Sequence, residues 1–464
     1  MTNRAIRTIG VKAVVFMMMT SCLGMRWIPV AGSIGPAAII LWLIAALAFF
    51  VPLALIVIEL SLNYPENGGI SLWTRKGLGK RAGFYAAWFY WVNNVVYYPG
   101  ALTFIAVNVV YLIGDHSLAE NSRVIVPIVI ACFWAAVWLN ISGIHYVSKV
   151  TTLSGLFNFR LGLFFILVGC YYVISYGHSA TSFAPDQFIP HRDMFRSLSD
   201  ISVLMFALAG VEIIPTVGRA IKNPEKNLTK AIIIGGILLV SLYILGTIAI
   251  NFIMTPHELT QTTGLVASFY TLTAKLHWSN WVVSFLVVSL IFVEFGGLNL
   301  WLIASSITFF EGTEKGILPE WLQRINKNYV PANALIFQGV MVTFIVMITK
   351  FMPTVNAMYM VLILMATIIY FIPYLFLVIA YLKLRHNNAL VKKILSNRMA
   401  KLMAFLTFIS VLMAIVLTII PSADIVKRSD IVLYELELIG GPLLFYLSGV
   451  IIYSRRKLTS FIKR

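Results

Sequence analysis

Apolar residues run in long unbroken stretches along nearly the whole chain, separated by short polar and basic segments. About 20 helical residues, rising 1.5 Å each, cross the hydrocarbon core of a bilayer. The runs are continuous rather than alternating, so they read as helices and not as barrel strands. Helices and closed barrels are also the only structures whose backbone is satisfied in lipid. The pattern predicts spans at 10–32, 36–62, 82–113, 124–141, 150–175, 197–217, 231–253, 279–310, 332–349, 354–382, 402–421 and 433–454. The expected fold class is an all-α integral membrane protein with about twelve transmembrane helices.

Composition agrees. Of the 464 residues, 60% are hydrophobic and 11% charged, where a soluble domain carries about 25% charged residues. The net charge of +17 would suit nucleic acid, but its distribution points to the lipid bilayer instead. One set of alternate connecting segments holds most of the basic residues, among them Arg75, Lys76, Lys80, Arg81, Lys222, Lys226, Lys230, Lys392 and Lys393. The other set holds only Arg123, Arg192, Lys275, Lys350, Lys427 and Arg428. The positive-inside rule puts the rich side in the cytoplasm. Both termini are then cytoplasmic, and the expected location is the cell (inner) membrane. The apolar run Val14–Thr20 has no small-residue cleavage site after it, so it reads as a first span and not as a signal peptide. Cys22, Cys132 and Cys170 lie in apolar segments without metal or disulfide spacing, and the seven histidines form no ligand pair. No metal or cofactor is expected.

Two spans are poor helices. The first is interrupted at Thr20-Ser21-Cys22-Leu23-Gly24-Met25-Arg26, with Pro29 close behind. The sixth carries Phe206-Ala207-Leu208-Ala209-Gly210-Val211-Glu212, then Pro215. Gly and Pro weaken a helix interior, and a charge at mid-membrane costs about 2.5–3.5 kcal/mol on insertion scales. A broken helix survives in a bilayer where its freed backbone is buried or lines a cavity. One such helix in each half of a chain points to a secondary transporter with a midplane site. The other reading is a pair of kinks closed by packing. The breaks are five spans apart, as a five-plus-five inverted repeat requires. That would make 1–385 the core, with repeats 1–175 and 197–385, and 386–464 an addition of two spans and a tail.

Four motifs then stand in order at matching places. They are Glu59-Leu60 with Tyr64-Pro65-Glu66-Asn67-Gly68-Gly69 after the second span, Gly210-Val211-Glu212 in the sixth, Lys222-Asn223-Pro224-Glu225-Lys226-Asn227 beyond it, and Lys315-Gly316-Ile317-Leu318-Pro319 before the ninth. Together they resemble the amino acid–polyamine–organocation permeases. The tryptophan- and tyrosine-rich run Trp88-Phe89-Tyr90-Trp91-Val92-Asn93-Asn94 is most similar to the bacterial glutamate/GABA antiporter group. The resemblance implies secondary transport of an amino acid or its decarboxylated amine, by exchange or with protons, and no enzymatic activity. It places a substrate carboxylate against the first break, at Cys22, Leu23 and Gly24, and an ammonium against carbonyls of Phe206, Ala207 and Ala209. The family commonly has a Gly-Ser-Gly-type run at the first break, so Cys22 and Leu23 would crowd the pocket here.

The resemblance also makes Phe206 and Trp301 aromatic gates and Glu212 a proton-sensing carboxyl that would bond the first span or a neighbouring loop. Glu294, Arg26 and Arg160 are further candidates for coupling or substrate contact. The same charges read equally as internal ion pairs that hold the bundle. Arg160 stands near a basic position of proton-coupled relatives, with Asn158 as the alternative equivalent. Glu59 reads as structural. Gly77–Gly83 is glycine-rich and basic but lacks phosphate-loop spacing, and it reads as a loop re-entering the third span. A sensor or receptor on the same scaffold is the rival class.

Overall fold

The computed structural model describes residues 10–64, 69–114, 116–189, 198–311, 313, 316–328, 330–350, 354–420 and 428–462. Its regular elements are helices: α1 (Val11–Cys22), α2 (Trp27–Ile34), α3 (Ala37–Asn63), α4 (Gly69–Leu78), α5 (Lys80–Ile113), α6 (Ser122–Ser142) and α7 (Ile144–Tyr176). They continue with α8 (Leu198–Leu208), α9 (Pro224–Ile253), α10 (Gly264–Lys275), α11 (Asn280–Ser306), α12 (Glu320–Gln323), α13 (Ala332–Thr349), α14 (Val355–His386), α15 (Asn397–Ile419) and α16 (Arg428–Ile462). Among the described residues, ten helices are long and apolar enough to cross a membrane, and the bent pair α1–α2 makes an eleventh. The sixth expected span is a shorter piece: α8 runs into a 3₁₀ stretch, Val211–Ala220. The helical class is as expected, while the count by length alone falls short of twelve because the breaks shorten the pieces.

Several motif residues have local structural jobs. Asn223 takes a left-handed conformation (φ 42°) and its carbonyl accepts from Lys226 and Asn227, with Pro224 at the first helical position of α9. Proline needs no amide partner there and Glu225 suits the positive end of the helix. The Gly77–Gly83 segment is not a loop. Gly77 lies inside α4, and the chain turns at Gly79 (φ +92°) straight into α5. A Cβ on Gly77 would stand 2.7 Å from Ala380 Cβ and 2.8 Å from its carbonyl oxygen. Only glycine allows α4 to lie this close to α14. Pro65–Gly68 and Lys315 fall outside the described residues.

The interior is built around α5 and α14, each with 72% of its apolar window buried, against 17% for Tyr434–Ser454 of α16. α14 packs on α4, α5 and α15, and α11 packs on α5 and α7. Large apolar side chains cover the outside, including Trp138, Ile174, Ile237, Phe344 and Leu444. Such a surface suits lipid, where apolar contact costs nothing.

Glu59 is buried at the end of α3 and anchors the far end of α14. Arg385 Nη1 donates to Glu59 Oε1 at 2.6 Å, while Glu59 Oε2 accepts the Ile394 and Leu395 amides at 3.1 and 3.3 Å. Arg385 Nη2 donates to the Leu395 carbonyl and to Asn397 Oδ1. A buried pair helps only when the remaining lone pairs and protons are also satisfied, as they are here. Removing one partner leaves the other charge uncompensated. Glu59→Ala is expected to cost about 3–5 kcal/mol of stability, read as a lowered unfolding temperature in detergent. Glu59→Leu combined with Arg385→Met is expected to recover much of that loss.

Candidate functional site

The chain between α1 and α2 bends by 62°. Leaving the helix there frees carbonyls that α-helical bonding would have used. Three consecutive ones are taken by side chains from three different helices. Trp301 Nε1 of α11 donates to the Ser21 carbonyl at 3.0 Å, Tyr243 of α9 donates to the Cys22 carbonyl at 2.7 Å, and Asn158 Nδ2 of α7 donates to the Leu23 carbonyl at 2.6 Å. The Tyr243 hydroxyl in turn accepts the Gly24 amide at 3.0 Å. Its ring stacks on Trp42, with centroids 4.6 Å apart, and Trp42 Nε1 bonds Thr247.

The second break lies against the first. α8 ends at Leu208, the Ala209 amide still reaches the Phe206 carbonyl, and Gly210 takes φ +115°. A Cβ on Gly210 would lie 3.2 Å from both Cys22 Sγ and Trp301 Cζ2. Glycine is therefore required twice over, by conformation and by close approach. The Ala207 carbonyl lies 3.3 Å from the Tyr243 hydroxyl, so one side chain touches both breaks.

A cavity opens between the breaks. Its lining includes every residue assigned to the substrate by resemblance: Cys22, Leu23, Gly24, Phe206, Ala207, Ala209 and Trp301. Phe206 and Trp301 both pack edge-on against Tyr370 of α14, at 5.3 and 6.0 Å, and Phe206 also meets Trp27 and Tyr97. Asn93, Asn94 and Asn158 line the same space. Each has a buried Oδ1 that accepts no hydrogen bond among the described residues.

The cavity also holds an ion pair. Arg26 Nη1 bonds Glu294 Oε2, with both side chains nearly fully buried. The guanidinium lies over the rings of Trp27 and Tyr97, 4.7 and 5.0 Å from their centroids, a favourable cation–π position.

Glu212 is not in the cavity lining and does not bond the first span, contrary to expectation. It accepts from the hydroxyls of Tyr90 and Tyr370 on Oε1 (3.2 and 2.5 Å) and of Tyr374 on Oε2 (2.6 Å). Tyr370 is the link, since its ring lines the cavity and its hydroxyl reaches Glu212. The reason is reach: α5 and α14 pass beside the 3₁₀ stretch and present hydroxyls there, whereas the backbone of the first break is already occupied. Arg160 is not brought to the site either. Its side chain is exposed, while Asn158 points from the buried face of α7 into the break. Two residues apart on a helix point in nearly opposite directions.

Sequence reasoning missed Tyr243, Tyr370 and Tyr374. The i, i+4 tyrosine pair in an otherwise apolar span was an available signal, since two hydroxyls on one face of a membrane helix need partners.

Comparison with known proteins identifies the family. Residues 9–441 match the amino acid permease family. The chain is 28% identical over 448 residues to an uncharacterized transporter of Legionella pneumophila, covering 96% of each chain. It is 26% identical to a probable agmatine/putrescine antiporter of Lactococcus lactis, over 70% of this chain and 68% of that one. It is 25% identical to a glutamate/gamma-aminobutyrate antiporter of Lactococcus lactis, over 83% of this chain and 78% of that one. With the match running from before α1 into α16, through both breaks, the chain belongs to the amino acid permease family.

Proposed function

We propose that the chain is a secondary active transporter that carries an amino acid or its decarboxylated amine across the inner membrane by alternating access. The observation that carries this reading is the cavity between two broken helices, lined by buried acceptors of Asn93, Asn94 and Asn158 that lack donors. Buried polar atoms are rarely left unpaired, and a substrate ammonium offers three donors. The names of the two Lactococcus relatives support an amine-bearing substrate and an exchange mode. A sensor on the same scaffold has no observation in its favour. The transport core is 1–385, with 1–175 and 197–385 as inverted repeats, and both termini are cytoplasmic.

Phe206 and Trp301 act as lids in this reading. Flat rings close over a substrate at little entropic cost and can stack on a cation. Proteoliposomes loaded with one candidate and supplied with another, drawn from labelled glutamate, 4-aminobutyrate, arginine, agmatine and putrescine, are expected to show exchange for at least one pair. Absence of flux for every pair overturns the reading. Phe206→Ala and Trp301→Ala are each expected to weaken substrate binding by roughly tenfold, as loss of a well-packed aromatic contact does, with insertion intact. Unchanged binding in both removes the lid assignment.

Glu212 is the proposed coupling carboxyl. Three hydroxyls aim donors at it, an arrangement suited to the acceptor-only ionised form. A proton on Oε2 would oppose the Tyr374 hydroxyl, which has an alternative acceptor in the Tyr370 hydroxyl 3.1 Å away. Tyr370 lines the cavity, so the rearrangement reaches the lids. Glu212→Gln is expected to keep the fold and flatten the pH dependence of transport. A Gln variant with the wild-type pH profile would leave Glu212 as a brace.

Orientation has a separate test. Lys226 and His257 are exposed at opposite ends of α9. Single cysteines at the two positions are expected to label from opposite sides of the membrane, with Lys226→Cys on the cytoplasmic side.

A further inference from the structure

The resemblance assigns head-group recognition to backbone at the two breaks, and much of that backbone is already engaged. The Leu23 amide bonds the Met19 carbonyl, and the Gly24 amide bonds Tyr243. The carbonyls of Ser21, Cys22 and Leu23 have side-chain donors, the Phe206 carbonyl holds the Ala209 amide, and the Ala207 carbonyl faces Tyr243. With these groups engaged, a head group entering this cavity gains from charged side-chain partners as well.

The ion pair supplies them. Arg26 and Glu294 meet through Nη1 and Oε2, which leaves Arg26 Nε and Glu294 Oε1 buried without a partner among the described residues. Both residues line the cavity. One unsatisfied donor on a cation and one unsatisfied acceptor on an anion thus belong to the same ion pair. Taking the reading of this cavity as a substrate site, we propose that Arg26 and Glu294 together read the head group of a zwitterion. Arg26 Nε donates to the carboxylate, and the ammonium donates to Glu294 Oε1.

The arrangement is a ring of four alternating charges with no net charge. An unpaired buried charge is expensive, whereas a paired and hydrogen-bonded one is tolerated. A zwitterion laid antiparallel to the pair brings its two charges into the membrane already compensated. An amine without a carboxylate leaves Arg26 Nε unsatisfied, and an acid without an ammonium leaves Glu294 Oε1 unsatisfied. Preorganisation strengthens the case: Trp27 and Tyr97 hold the guanidinium, and the guanidinium holds the carboxylate. Little further ordering is then required on binding.

The test uses the purified full chain in lipid nanodiscs and two matched sets of probes. One set is glutamate, 4-aminobutyrate and glutarate; the other is arginine, agmatine and 5-guanidinopentanoate. Each set contains an amino acid, the same skeleton without the α-carboxylate, and the same skeleton without the α-ammonium. In the wild type, the amino acid of at least one set is expected to bind at least about 30-fold more tightly than both truncated forms, the penalty of leaving a buried charge partner unmatched. Arg26→Gln is expected to erase the preference over the decarboxylated form only. Glu294→Gln is expected to erase the preference over the deaminated form only. Wild-type binding of the truncated amine as tight as that of its parent overturns the proposal and leaves transport standing. So does restoration of the full preference in the Arg26→Gln, Glu294→Gln double variant, which would make the pair a brace. Failure of all six probes to bind or to be transported overturns both this proposal and the transport reading.

Discussion

An opened helix inside a membrane has no water to satisfy it. At the bend between α1 and α2, the carbonyls of Ser21, Cys22 and Leu23 would each cost about 1–3 kcal/mol if left bare. Trp301, Tyr243 and Asn158 cover them from α11, α9 and α7. Much else follows from this constraint. Three helices must converge on one short stretch of backbone, and the space that they cannot fill becomes the cavity. Tyr243 has only one proton and two acceptors in reach, so it also ties the first break to the second. Gly210 lets the second break come close enough for that tie.

The polar residues around the cavity fall into two layers with different chemistry. The inner layer holds Arg26, Glu294 and the three asparagines, which have spare hydrogen-bonding capacity. The outer layer holds Glu212 with Tyr90, Tyr370 and Tyr374, whose hydroxyls occupy both carboxylate oxygens. Satisfied buried networks rigidify a core, and unpaired buried polar groups are costly. Tyr370 belongs to both layers, and through it any change at Glu212 alters the wall against which Phe206 and Trp301 pack.

Hydropathy alone made the helical class legible, because lipid leaves a chain few alternatives. The breaks were legible for the same reason: Gly24, Gly210 and the charges beside them are hard to explain in an ordinary span. That Cys22, Gly24, Phe206 and Ala207 share one cavity also follows from aligning the breaks. Side-chain direction was the illegible part. Arg160 and Asn158 are equally plausible from sequence, and a 200° difference in helical phase sends one outward and the other into the break. Glu212 was expected to bond the first span or a neighbouring loop, but the hydroxyls of Tyr90, Tyr370 and Tyr374 on α5 and α14 take both of its oxygens. Tyr243 stood in a run of apolar residues, and nothing in its neighbours announced a hydroxyl with backbone to cover.

The Arg26–Glu294 pair sharpens the distinction between structural and functional charge. Glu59 and Arg385 form a pair of the first kind, with both carboxylate oxygens and both Nη atoms engaged at the end of the bundle. Such a pair gains nothing from a further ligand. Arg26 and Glu294 form a pair of the second kind: they sit in a cavity, make one contact with each other, and keep one polar atom apiece unsatisfied. Replacing a buried ion pair with apolar residues is often neutral or stabilising, so holding one half-satisfied at a helix break makes little sense as bracing. It makes sense where a ligand with both charges arrives to complete it, and where its departure leaves the pair neutral and open to the next ligand.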